Sequence, residues 1–548
     1  MKKQRLGVVM IVRNEEQDLP GILSDVKEIA DEIMIVDTGS EDGTVRVAES
    51  FGARIETFPW QNDFASARNY SIECASCEYL LWLDADDRID EKDRSALASL
   101  KTRLSPGQDR AYMLRILSCS HDMPETVSYQ TRIIPNREGI RFEGRVHEQI
   151  LPSLEMHGIQ VESSDIVIRH TGYHDKDARL AKGRRNLQIL LDEYREGKDT
   201  ATQCFFIAMA SIAVGDHEQC LEYLQKAREK RTNEDWYQFS YAIATECLMK
   251  QDRIEDAYQE SKQGLSLFKD SVLIHFYHGL SSMKAGYFEE AASVFDKATR
   301  LPVQVSSYPV PPNILGGIWF HYGRALEKLG RIDDAITSYK HSLESGYNPV
   351  SANHCLGLAL LQSGRIEEAT GYLEQAKKGT EKLSTSLWMS LAKVYSYSKR
   401  YADALNIYSE ILSENPSDMH ALTGILEASI ELNDTQNFFS ALERFVNMLN
   451  IPVPEVINTL GECAQLCAEI GRHLEMNEEG SLPRRLAEIA LHLDISCAQA
   501  YVLLADLAYG EKDIPAAIAH LEKALKSGAD RQEVLMRLSL TEQTRVSP

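Results

Sequence analysis

From about residue 176 onward the chain repeats one arrangement of large and small apolar residues, and no other feature limits its fold as strongly. In Trp388–Pro416, WMSLAKVYSYSKRYADALNIYSEILSENP, the marks are Trp388, Leu391, Ala392, Tyr395, Ala404, Tyr408 and Pro416. The same frame returns at Trp319, Gly323, Ala335 and Tyr339, at Leu356, Gly357, Ala369 and Ala376, and at Gly279, Ala291, Phe295 and Ala298. It returns again at Tyr501, Leu504, Ala505, Ala517 and Ala524. Small residues at fixed places let two helices of a hairpin approach closely, and the large ones fill the gap. A single hairpin cannot bury its apolar face, so such units must stack into an all-α solenoid.

The spacing resembles the tetratricopeptide repeat. Weaker frames stand at Ile207/Ala208/Ala227 and at Trp236/Ala257. The prolines of LPVQVSSYPVPPN (301–313) forbid a continuous helix and interrupt the array. A second interruption, MNEEGSLPRR (476–485), falls in a degenerate stretch near 450–485.

Residues 1–175 follow a different period. Short β-type runs alternate with helical stretches: LGVVMIV (6–12), EIMIVDT (32–38), ARIETF (53–58) and YLLWLD (79–84), with helices expected over Val45–Phe51 and Asp63–Ala75. Strand-then-helix repetition at this length predicts βαβ units and a largely parallel sheet. The later runs YMLRILS (112–118), VSYQTRIIP (127–135) and SDIVIRH (164–170) lie closer together and predict mixed or antiparallel additions. The expected organisation is an α/β domain (1–175), a connecting helix (176–200), repeats (201–300), the Pro-rich interruption (301–314) and further repeats (315–548).

A formal charge of −23, from 59 basic and 82 acidic residues, argues against non-specific binding to nucleic acid or to an anionic membrane. A local basic patch, Lys182 with Arg184 and Arg185, is the exception to examine. Ten cysteines are too sparse for a disulfide framework, and Cys204, Cys247 and Cys355 sit within apolar helical patterns. Cys74-x-x-Cys77 has no second pair at zinc-finger spacing and reads as structural. The opening MKKQRLGVVMIVRNEE is too short for a signal-peptide core, and no segment approaches the ~18 uninterrupted apolar residues of a membrane span. A soluble cytoplasmic protein is expected.

YLLWLDADDRID (79–90) carries a buried strand straight into Asp84, Asp86 and Asp87. Carboxylates this close raise one another's pKa unless a cation or donor groups offset them. The stretch is either a solvated acidic turn or a divalent-metal site at the carboxyl end of a strand, where open α/β sheets bind ligands. On extended backbone, Asp84 and Asp86 would share one side.

The ordered set VRNEE (12–16), VDTGSEDGT (36–44), SARN (66–69), LDADD (83–87) and EGRVHE (143–148) resembles the family-2 glycosyltransferases of the GT-A fold. It is most similar to a bacterial branch in which the catalytic domain precedes tetratricopeptide repeats, including bacteriocin S-glycosyltransferases. It also resembles lipopolysaccharide-core glucosyltransferases that lack repeats. The resemblance implies an α/β nucleotide-sugar-binding domain with a mixed, mostly parallel sheet, followed by the solenoid. It implies a UDP-sugar donor and a divalent cation, Mn²⁺ or Mg²⁺.

By the same resemblance, Asp84 lies near the ribose, Asp86 contacts the metal, and Asp87 orients a neighbour. Asp37 contacts the base, with an Asx turn as a compatible second role. Arg13, Asn14 and Glu15 match nucleoside contacts; ordinary first-turn helix charge is the other reading of Glu15. Arg68 offers donors to phosphate, and an ion pair with one of the aspartates is its rival role. Inverting transfer needs a carboxylate that removes the acceptor's proton. Glu148 is the candidate base, with His147 the runner-up. His170 in IRHTGY resembles the histidine that completes the metal site, against a structural histidine. A concave solenoid implies a protein or peptide acceptor. The alternatives are an envelope glycan acceptor, with the repeats pairing two copies as a homodimer, or an inactive scaffold.

Overall fold

The computed structural model describes residues 6–546 apart from 105–106, 108, 119–125, 172–175, 231–235, 304–312, 380–383, 452–458 and 476–480. The middle of the Pro-rich interruption, parts of the degenerate stretch and residues 172–175 therefore lie outside the described residues.

Eight strands form one sheet in the order β3-β2-β1-β4-β7-β6-β8-β5. They are β1 (Leu6–Val12), β2 (Glu32–Asp37), β3 (Arg54–Thr57), β4 (Tyr79–Leu83), β5 (Asp87–Arg88), β6 (Arg110–Ser118), β7 (Thr126–Pro135) and β8 (Gln160–His170). β3, β2, β1 and β4 run parallel, and β7 then pairs antiparallel with both β4 and β6. β6 and β8 are parallel, and the short β5 closes the far edge antiparallel to β8. This is the mixed sheet expected from the run spacing.

Side-chain alternation splits the domain core into two layers. Val8, Met10, Val12, Leu81 and Leu83 enter one cluster with Leu19, Ile22 and Leu23 of α1 (Leu19–Val26) and with Leu97 and Leu100 of α4 (Glu91–Arg103). α2 (Thr44–Ser50) adds Ala48 to that cluster. Val9, Met34 and Leu80 enter the other with Ile72 of α3 (Phe64–Cys74) and Leu154 of α5 (Leu151–Met156). Chain order runs outward from β1 through β2 to β3, then returns to β4 on the other side of β1. That reversal opens a crevice at the carboxyl ends of β1 and β4, where such sheets receive ligands.

Among the described residues, every regular element from α6 (Lys176–Arg195) onward is a helix. α7 (Ala201–Ala213) and α8 (His217–Glu229) begin the hairpins, each capped by a side chain accepting a backbone N–H, Thr200 from Gln203 and Asp216 from Gln219. α9 (Trp236–Lys250), α10 (Ile254–Leu267), α11 (Val272–Lys284), α12 (Phe288–Ala298) and α13 (Ile314–Lys328) continue them. The weaker sequence frames are real hairpins: Ile207, Ala208, Ala227, Trp236 and Ala257 are all buried. The stretch near 450–485 read as degenerate holds the helix Leu460–Glu475 and the start of the helix Leu482–Leu493.

The chain divides into two compact units, Met1–Arg331 with Glu344–Tyr347, and Ile332–Leu343 with Asn348–Pro548. The sheet and the helices through α13 thus share one unit, although the architecture changes at Lys176. No helix among the described residues is long and apolar enough to cross a membrane. The described cysteines carry free thiols; Cys77 is buried, and burial pushes its thiol up to about 12.

Candidate active site

Parallel register brings the strand exits onto one rim, with Val12 opposite Asp37 and Met10 opposite Leu83. Arg13–Glu15, Asp37–Ser40 and Asp84–Asp87 all emerge there.

The Asp84–Asp87 segment is a tight turn, not the extended backbone expected from the D-x-D spacing. The Asp87 N–H donates to the Asp84 carbonyl (3.2 Å), and the Asp84 N–H donates to Asp87 Oδ2 (2.9 Å). β5 then pairs Asp87 with His170 at the end of β8. One ligand atom from each of Asp84, Asp86, Asp87 and His170 lies within 4.8 Å of the others. His170 Nδ1 is 3.0 Å from Asp87 Oδ1 and 3.2 Å from Asp86 Oδ1. Thr171 donates both its backbone N–H and its hydroxyl to the Asp86 carbonyl, at 2.9 Å each.

Two buried guanidinium groups offset part of this negative charge. Arg132 on β7 donates to Asp87 Oδ2 (3.0 Å) and to Asp84 Oδ2 (3.5 Å). Arg68 on α3 donates to Asp84 Oδ1 (2.8 Å) and to Glu148 Oε1 (2.5 Å). Their guanidinium carbons lie 3.7 and 4.3 Å from the centre of the Trp82 ring, so one indole supports both. Burial pushes the Asp84 carboxyl up, but Arg68 and Arg132 outweigh it and hold the group well below the usual carboxylate range.

Asp86 and Glu15 have no such relief. Burial, then Asp84 and Asp87, raise the Asp86 carboxyl against the opposing pull of His170. Burial, Asp86 and Asp18 raise Glu15 to about 7, with Lys182 of α6 acting in the opposite sense. Burial lowers His170, yet the three aspartates leave it raised overall. Carboxylate oxygens with one imidazole, and negative charge at Asp86 that His170 offsets only in part, form a donor set that fits a divalent Mg²⁺ or Mn²⁺ ion.

Asp37 is buried and accepts the N–H groups of Gly39 (3.1 Å) and Ser40 (3.2 Å), forming the Asx turn considered from sequence. Asn14 adopts left-handed backbone (φ 57°), donates its N–H to Ser40 Oγ (2.9 Å) and accepts from Glu41 N (2.8 Å). The Glu15 N–H donates to Thr44 Oγ1 (2.7 Å). These bonds tie the exit of β1 to the loop after β2. Arg13 is exposed beside them.

The two candidate bases part company. Glu148 turns to Arg68, and its second carboxylate oxygen has no hydrogen-bond partner among the described residues. His147 has φ 55°, and its ring lies against Phe206 of α7, with centroids 4.9 Å apart. Asn69, one residue after Arg68, holds the Glu148 segment through a reciprocal pair with the Phe142 backbone (2.9 and 2.7 Å). Of the two readings of Arg68, the ion pair is the one the geometry contains: its fork is engaged by Asp84 and Glu148.

Sequence reasoning missed Arg132 and Trp82. A charge amid VSYQTRIIP was the available signal, since a guanidinium 2% exposed on a central strand requires acidic partners.

Residues 7–114 match the family model "Glycosyl transferase family 2", and residues 320–382 match a tetratricopeptide repeat model. Over 230 residues the chain is 30% identical to a "TPR repeat-containing protein" of Synechococcus elongatus, covering 40% of this chain and 56% of that protein. It is 24% identical over 230 residues to the "SPbeta prophage-derived glycosyltransferase SunS" of Bacillus subtilis, covering 40% and 52%. It is 28% identical over 116 residues to an "uncharacterized glycosyltransferase" of Rickettsia bellii, covering 21% and 38%. The matches span about half the length of the first two relatives. The chain therefore carries a family 2 glycosyl transferase domain in its N-terminal part and tetratricopeptide repeats beyond it.

Proposed function

We propose that this chain is a metal-dependent, inverting glycosyltransferase that moves a sugar from a UDP-linked donor to a protein or peptide acceptor. The observation that carries the reading is the juxtaposition, through Arg68, of the Asp84–Asp86–Asp87–His170 cluster with Glu148. A family 2 domain and relatives named as glycosyltransferases support the reaction class. Glu148 and His170 lie beyond the matched residues 7–114, so their roles rest on geometry.

Asp86 and His170 would hold the divalent cation, which when bound supplies positive charge against the diphosphate leaving group. Asp37, Arg13 and Asn14 flank the donor's nucleoside, and Asp84 meets the ribose. Glu148 accepts the acceptor's proton at Oε2 while Arg68 fixes Oε1, so the base is held in one orientation. Arg68 acts by positioning Asp84 and Glu148 together. The cytoplasmic setting, and the use of the repeats to bind polypeptide, belong to the same proposal.

The test is turnover with a panel of nucleotide sugars, Mn²⁺, and polypeptide or glycan acceptors, with products read by mass spectrometry. Glu148→Gln and Asp86→Ala should each lower the rate by ~10²–10⁴-fold. Undiminished turnover in both would refute the site, and exclusive transfer to glycans would refute the acceptor class.

A further inference from the structure

Glu148 stands on a loop outside the eight strands. The Glu143 and Gln149 backbones exchange N–H···O bonds of 2.9 and 2.8 Å, an isolated bridge that closes residues 143–149. The sheet domain grips one side of this loop, through the Phe64 N–H on the Arg145 carbonyl (2.9 Å) and Asn69 on the Phe142 backbone. Between the bridge residues, Gly144 (φ 97°) and His147 (φ 55°) are both left-handed. Glycine enters that region freely, but a residue with a Cβ is strained there and persists only where its surroundings impose it.

Helices beyond the sheet hold the other side. Arg145 donates to both carboxylate oxygens of Glu196, just past the end of α6, at 3.3 and 2.8 Å. A Cβ on Gly144 would stand 4.0 Å from Lys198 Nζ, so the link from α6 to α7 passes beside the same turn. His147 is exposed, yet its ring lies against the half-buried Phe206 of α7, with centroids 4.9 Å apart and planes at 31°. Rings at this distance attract beyond the area they bury. Because His147 immediately precedes Glu148, its φ sets the direction in which the Glu148 side chain leaves the loop. At φ 55°, Glu148 Oε1 meets Arg68 Nε at 2.5 Å. A return of His147 to the ordinary negative-φ region would turn the carboxylate away from that guanidinium.

We infer that His147 and Phe206 are positioning residues for the base: α7, at the start of the helical array, holds His147 in left-handed backbone and so keeps Glu148 on Arg68. The inference rests on the glycosyl-transfer reading and deepens it. The sheet domain does not complete its own site. The array adds a contact to that site which is separate from any part the repeats play in holding an acceptor.

Two measurements on the full chain test this. Hydrogen–deuterium exchange of the 143–150 amides should be roughly three- to tenfold faster in Phe206→Ala and in His147→Ala, with exchange elsewhere unchanged. Turnover of a nucleotide-sugar panel with Mn²⁺ and polypeptide acceptors should show kcat lower by about ten- to a hundredfold in both, at unchanged donor KM. Phe206→Tyr keeps the ring and should keep kcat. The two side chains act through one contact, so the double variant should lose no more than the larger single loss. Unchanged loop exchange in Phe206→Ala overturns the inference whatever the activity. With an active wild type, so does an undiminished kcat, a donor KM that rises in step with the loss, additive losses in the double variant, or a Phe206→Tyr as impaired as Phe206→Ala. A wild type inert with every donor overturns the transfer reading, and the role assigned to these two residues with it.

Discussion

Buried hydroxyls of the helical repeats and buried charges of the sheet domain find their partners in opposite ways. In the repeats, Ser211, Thr245 and Thr423 each return their hydroxyl to a carbonyl four residues earlier, at 2.8, 2.7 and 2.9 Å. In the sheet domain the partners are far apart in sequence. Arg68 and Glu148 are separated by 80 positions, Arg132 and Asp87 by 45, and His170 and Asp87 by 83. These hydroxyls are satisfied locally and neutrally within one helix, while charges in the repeats, such as Arg228 with Glu260 and His278 with Glu290, pair between helices. The sheet domain concentrates charge at one rim and satisfies it only once the whole sheet has closed. Damage should therefore stay small in the first region and become large in the second.

The sharpest break would come from Arg132→Ala. It leaves Asp87, 0% exposed, without its guanidinium partner and removes the second guanidinium from Trp82. Stripping one partner from a buried ion pair costs about 3–5 kcal/mol, read as a lowered denaturation midpoint of the full chain. Arg132→Lys should recover little of this, because an ammonium cannot span Asp84 and Asp87 while stacking on the indole. A loss below ~1 kcal/mol would mean that the charges at the rim are not interdependent.

Within the repeats, a severe local change should be Gly279→Ala on α11. An added Cβ would stand 2.4 Å from the Phe295 ring of α12. The hairpin must spread, at about 1–3 kcal/mol, and circular dichroism melting of the variant measures it. Gly357 meets Leu373 in the same way at 2.6 Å, so Gly357→Ala should behave alike in the other compact unit. Two mild effects would show that helix spacing is not set by these glycines.

The same contrast governs what could be read from the sequence. The hairpins were legible because their determinants, such as Ala291 and Phe295 facing Gly279, recur at fixed short spacing. Strands β1 to β4 were legible for the same reason, each being one apolar run. The candidate site was legible where a motif ends a strand, as at Asp37 and Asp84. It was not legible where partners converge from distant elements. Nothing local in VSYQTRIIP says that Arg132 meets Asp87, nor does SARN say that Arg68 will hold Glu148. The extended reading of Asp84-Ala85-Asp86 failed because the hydrogen bond from Asp87 to Asp84 folds the segment into a turn, a choice made by the tertiary pairing of Asp87 with His170.

A smaller effect follows from Glu15. Its carboxyl is raised from 4.5 to about 7 by burial and by Asp86, so the native state retains a proton that the unfolded chain has already lost. Stability should fall as pH rises from about 4.5 to about 7 and stay lower above that. Glu15→Gln removes the penalty: it should match the wild type near pH 4 and exceed it at pH 8 by about 1–2 kcal/mol, allowing for solvent screening. Denaturant titrations of both proteins at the two pH values give the comparison. An equal difference at both would show that Glu15 does not sense the aspartates.

The smallest expected effect is the one that most directly tests the local character of the repeats. Thr423 is buried, and its hydroxyl donates to the Met419 carbonyl. Thr423→Val keeps the shape and removes the only polar atom that needed a partner, while the carbonyl retains its helical N–H. Replacing a satisfied hydroxyl by a methyl in this way should change stability by less than ~1 kcal/mol in either direction, as measured by denaturant midpoint. The corresponding shape-preserving change at the rim, Asp87→Asn, cannot be so mild, because Arg132, His170 and the Asp84 N–H all converge on that carboxylate. If Thr423→Val proved as costly as Arg132→Ala, polar groups in the hairpins would be coupled as tightly as those at the rim.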